Sequence, residues 1–133
     1  MKTKHILTLE AAKAALSSAE SEAAKNGWTM AVAVVDDGGN LVGFSRMDGA
    51  QIASIQIAID KAKAAIGFRR PTKALEDIVA AGRVAFLSVG SLPIEGGVPL
   101  IYNGDMVGAI GASGGMPVQD GATAQAGAAA LAG

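Results

Sequence analysis

The run Gly111-Ala112-Ser113-Gly114-Gly115 is where residue type and spacing first suggest chemistry. Its G-x-S-x-G pattern is the strand-to-helix elbow that presents a nucleophilic serine in α/β-hydrolases. A serine in that role needs a base, yet no histidine follows Ser113, and the only histidine is His5. An unassisted hydroxyl is a weak nucleophile, so a tight turn of small residues is the better reading. Gly108, Gly111 and Gly114 are evenly spaced, which breaks the dinucleotide-binding pattern, and no lysine follows to complete a phosphate loop. The backbone N–H groups of Ser113, Gly114 and Gly115 are still able to form an anion nest.

The charged residues suggest binding more than catalysis. Arg46, Lys61, Arg69 and Arg70 could together hold a carboxylate or propionate. Arg69 and Arg70 also fall where a helix should end, and there a cation complements the helix dipole. Asp48, Lys61 and Glu95 are types whose pKa burial can tune for acid–base work. Asp36 and Asp37 sit beside two glycines, as turn formers do. With His5 alone and Cys absent, no metal-binding set is expected.

The elements that must position these groups read clearly. Thr8 should cap a helix over about Leu9–Asn26, ended by Gly27. Met30–Val35 and Leu41–Met47, joined by Asp36-Asp37-Gly38-Gly39-Asn40, read as a hairpin. A second helix is expected over Ile52–Phe68, buried along Ile52, Ile55, Ile59, Ala62 and Ile66, with Asp60, Lys61 and Lys63 off that stripe. Thr72 should cap a short third helix ended by Gly82. The apolar run Val84–Val89 reads as another strand. A loop with Glu95, Gly96 and Gly97 then leads to Val98–Tyr102 and Met106–Ala112, whose Asn103-Gly104 junction is a strong hairpin signal. Asp120 should cap a last, Ala- and Gly-rich helix over about Gly121–Leu131.

This order gives an α+β domain with a mainly antiparallel five-stranded sheet flanked by helices, as one domain over residues 1–133. Net charge is −1, with no basic run for nucleic acid. No apolar run reaches the ~20 residues of a membrane span, and charges interrupt the N-terminus too early for a signal-peptide core. A cytoplasmic location is expected. Eighteen glycines and 4% aromatics leave little bulk for a monomeric core, so oligomerisation is expected to add burial.

These strings, in order, resemble the GlcG/HbpS-like proteins, also called the haem-degrading domain family. The matching pieces are Val34–Val42, Arg46-Met47-Asp48-Gly49-Ala50, Lys61-Ala62-Lys63 with Pro71-Thr72, Gly96-Gly97-Val98-Pro99, Gly108–Gly115 and Gln119-Asp120. The resemblance implies a profilin-like fold, a homo-oligomer, and haem- or corrinoid-related roles in some members. Members often carry His after the paired glycines of the first hairpin, where this chain has Asn40. With His5 the only imidazole, the usual histidine ligand for haem is poorly supplied, and Tyr102, Met47, Met106 and Met116 are the substitutes on offer. The leading expectation is an oligomeric small-molecule-binding accessory protein, its ligand haem or a small organic acid. Its pocket residues would be Arg46, Asp48, Lys61, Glu95, Gly96, Gly97 and Ser113. The alternatives are an enzyme using Asp48, Lys61 or Glu95 on a small organic substrate, and a structural oligomer without ligand.

Overall fold

The computed structural model describes residues 1–132. Helix α1 (Leu9–Lys25) is capped as expected, the Thr8 hydroxyl accepting the N–H of Ala11 at 3.1 Å. At its other end Gly27 takes a left-handed turn and Trp28 N–H closes on Ala23 O. Strands β1 (Ala31–Asp36) and β2 (Leu41–Arg46) form the first hairpin. Helices α2 (Ala53–Phe68) and α3 (Thr72–Ala80) follow, then β3 (Gly97–Tyr102), β4 (Asp105–Ser113) and α4 (Pro117–Ala129).

The sheet has four strands in the order β2-β1-β4-β3, every pairing antiparallel. The fifth strand expected at Val84–Val89 is instead a 3-10 helix with no buried residue. A short apolar run does not by itself separate a strand from a helical turn. Here Gly82 and Gly90, both at positive φ, bracket the run as a separate coil. Phe86 N–H bonds back to Arg83 O and the Ser88 hydroxyl to Ala85 O.

Alternation along β1 divides the core. Val32 and Val34 join Ile110, Ala112 and Leu100 beneath α1 and α4. Ala31, Ala33 and Val35 face α2, with Ala58, Ala62, Ala65 and Ile66. The buried face of α2 is thus rotated from the expected stripe: Ala58, Ala62 and Ala65 turn inward, and Ile52 is 79% exposed. The reason lies in the sheet. Gly111 leaves a bare patch on β4, where a Cβ would run into the carbonyl oxygen of Ala58, so the helix backbone sits directly on the strand. Only small side chains fit between surfaces that close. Two further starts differ from expectation. Pro71 is the cap position of α3, and α4 begins at Pro117, which puts Asp120 inside its first turn.

Candidate functional site

One end of the sheet holds a dry ion pair. Lys61, on α2, is only 2% exposed although its position lies off the expected stripe. Its side chain passes the start of β3, where Gly96 and Gly97 make room. A Cβ on Gly96 would lie 2.7 Å from Lys61 Nζ, and one on Gly97 would overlap the Lys61 carbonyl. The ammonium donates to Asp120 Oδ2 at 2.8 Å and to Ala112 O at 3.2 Å. Thr72 Oγ1 fixes the glycines by accepting the Gly97 N–H at 2.8 Å.

Asp120 turns back on the glycine run after Ser113. Its Oδ1 accepts the N–H of Gly115 at 2.9 Å. Burial pushes its carboxyl above the usual carboxylate value. Lys61 and the N–H groups of Gly115 and Gly114 pull the other way. The N–H groups of Gly114 and Gly115 thus meet a carboxyl group of the protein itself.

The remaining expected pocket residues are spread across the same end. Arg46 and Ser113 both pair with Ala31, in one row across β2, β1 and β4. Ser113 is buried; Arg46 and Asp48 are exposed at the β2 edge. Three strand spacings, about 14 Å in all, separate that edge from β3. Glu95 is half-buried by the opposite edge, its N–H donating to Glu76 Oε1 at 3.2 Å. It borders a cleft of about 390 Å³ shared with Gly97, Val98, Val118, Gly121 and Gln125. The structure therefore brings together Lys61, Gly96 and Gly97, sets Glu95 beside them, and leaves Arg46 and Asp48 apart. Arg69 and Arg70 are exposed at the end of α2, where Arg69 is the left-handed cap.

The other end of the sheet holds a cavity. The Asn103-Gly104 turn, both residues at positive φ, pairs Tyr102 with Asp105. The segment before α1 crosses this end and is pinned there. Lys4 pairs with Asp37 in the first hairpin turn. The backbone N–H of His5 and its ring Nδ1 both meet Asp105 Oδ2, at 3.0 and 2.7 Å. These two contacts hold the Asp105 carboxyl below its usual value. The Tyr102 ring meets the His5 ring edge-on, with centroids 5.0 Å apart. Between this segment and the sheet lies a space of about 350 Å³, lined by His5, Ile6, Leu7, Tyr102, Val107 and Leu131. Its size and apolar walls with a few polar groups suit a small-molecule site.

Sequence reasoning named His5 and Tyr102 but not their meeting, and it drew no chemistry from Asp105 beside the Asn103-Gly104 turn. Nothing local links residues 100 apart in sequence. The other haem-ligand candidates lie elsewhere. Met47 and Met106 pack against the core, and Met116 stands exposed at the cap position of α4. Asn40 closes the first turn, its backbone N–H donating to Asp36 Oδ1 at 2.9 Å and its side-chain amide reaching the same oxygen at 3.2 Å. Among the described residues, no three His, Cys, Asp or Glu side chains converge as a metal site, and no helix is long and apolar enough to cross a membrane.

Comparison with known proteins agrees with this architecture. The family described as haem degrading protein HbpS-like matches residues 7–129. Protein GlcG of Escherichia coli is 44% identical over 114 residues, which are 85% of each chain. A double mutant of Streptomyces reticuli HbpS superposes with a TM-score of 0.90 at 36% identity, over 100% of this chain and 92% of that one. A structure described as a PduOC–haem complex gives 0.85 at 27% identity, over 96% of each chain. With the family pattern spanning nearly the whole sequence, the chain belongs to the HbpS-like family.

Proposed function

We propose that this protein is a haem-binding accessory protein, in which His5 and the cavity beneath residues 5–8 would hold haem. The observation that carries the reading is the His5 ring itself. It lines an apolar cavity beside Tyr102, and its Nδ1 meets Asp105. Haem fits this lining: one imidazole, one phenol, one threonine and otherwise aliphatic walls. Family membership and the related haem complex support the choice of ligand. Bound there, haem would supply the iron chemistry; the protein's part is to hold the ring, orient His5 and exclude water.

Titration with haemin tests this. The wild type is expected to shift the Soret band to a saturable end point. His5→Ala should abolish the shift, and Tyr102→Phe should change its position. No shift at excess haemin would overturn the reading.

Homo-oligomerisation and a cytoplasmic location belong to the same proposal. The oligomer is supported by apolar side chains left outside the core. Ile52 is 79% exposed and Val84 65%, with Leu87 and Val89 beside Val84 on the 3-10 helix. Such residues seldom stay bare over a contiguous patch on a monomer. The Glu95 cleft is the place a small organic ligand would use, touching Glu95, Gly96 and Gly97. Lys61 would there support the loop, its charge being committed to Asp120.

A further inference from the structure

We propose that Asp105 is a positioning residue that makes His5 a one-sided metal donor, so that the cavity selects a metal-centred macrocycle over the same ring without metal. This rests on the haem-binding reading above.

The geometry is specific. A single oxygen, Asp105 Oδ2, accepts from both the backbone N–H and the ring of His5, at 3.0 and 2.7 Å. The first contact places the residue and the second orients its ring. An ionised carboxylate has no proton to give, so the proton in the shorter contact sits on Nδ1. In the neutral ring Nε2 is then the unprotonated nitrogen, with its lone pair free. Metal-ligating histidines are commonly held this way, the other ring nitrogen donating to a carboxylate that raises the ligand's basicity. The edge-on Tyr102 ring at 5.0 Å limits rotation of the imidazole. Asp105 and Tyr102 both owe their positions to one two-residue turn, because they are register partners across Asn103-Gly104.

A porphyrin with iron offers that lone pair an acceptor. A metal-free porphyrin offers none and gains only from the apolar walls. Selectivity for the metal therefore reports the ring's orientation separately from the cavity's shape.

The test measures binding of ferric haemin and of metal-free protoporphyrin IX to the wild type and to Asp105→Asn. The wild type should bind haemin much the more tightly of the two. Asp105→Asn should weaken haemin about 10- to 100-fold and move its Soret band, the usual size of an outer-shell loss. The same variant should leave the affinity for metal-free protoporphyrin unchanged. The His5 and Asp105 side chains are 50% and 38% exposed, so the variant is expected to fold, and its metal-free porphyrin binding checks that the cavity persists. Equal losses for both porphyrins would show that Asp105 only shapes the cavity and would overturn the proposal. Unchanged haemin affinity and Soret position in Asp105→Asn would also overturn it, with haem binding itself left standing. Failure of the wild type to bind haemin overturns both.

Discussion

Lys61–Asp120 and His5–Asp105 are two charged contacts at opposite ends of one sheet, and they do opposite work. The first is sealed, with both side chains nearly inaccessible and every strong contact turned inward. The second is open to water and borders a cavity. A sealed pair is weak evidence for added stability, because desolvation offsets its attraction, but losing one partner strands the other. An open pair contributes little to stability and keeps its atoms available. Chemistry-bearing residue types therefore mislead without their surroundings. The lysine read as a ligand contact is paired with Asp120 in the interior, and the lone histidine lines the cavity.

The contrast is broken most directly at Lys61. Lys61→Ala should destabilise by ~3–5 kcal/mol in urea unfolding, since Asp120 remains buried without its cation. Burial, which raises the Asp120 pKa, survives this change, and the opposing pull of Lys61 is lost. A folded-state value above the unfolded one favours folding at acid pH. The deficit of Lys61→Ala should therefore narrow as pH falls through the raised value. A deficit independent of pH would mean that Asp120 has found water.

Gly111→Ala should cost less, about 1–3 kcal/mol, as overpacking between α2 and β4. The atom in the way is the backbone oxygen of Ala58, so relief requires the helix to move. A variant as stable as the wild type, by thermal or urea unfolding, would show that α2 shifts freely.

The smallest effect is expected at the open end. The Asp105 pKa is depressed by His5, so its stabilising contact is complete above the unfolded carboxylate value and is lost as pH falls through the lower folded value. The His5 and Tyr102 ring resonances should report loss of the ring contact in that acid window while the 4–8 segment and the sheet stay in place. Asp105→Asn should remove the dependence. A change that coincides with global unfolding would erase the distinction between the two ends.

Much of the fold was legible because its signals are local. Thr8 with its downstream helix, the Asp36–Asn40 turn and the Asn103-Gly104 hairpin each specify geometry within a few residues. Val84–Val89 was not legible, since its composition suits a strand and only the flanking glycines separate it from the sheet. The turned face of α2 was hidden for another reason. Ranking by hydrophobicity favours isoleucine, whereas contact with Gly111 favours alanine. Of the proposed haem site, His5 and Tyr102 stood out by residue type, but Asp105 and the pairing did not. Lys61 meets Asp120, and His5 meets Asp105, across 59 and 100 positions of sequence.

The cavity is walled by His5 near one end of the sequence and by Leu131 near the other. Two segments far apart in sequence therefore share one wall, and a foreign imidazole reaching either would stand beside the proposed haem site. A tag of histidines would bring in imidazoles to compete with His5 for iron. Spectra of tagged protein would report the tag as readily as the fold, and tag-free material is the right starting point for any haem measurement.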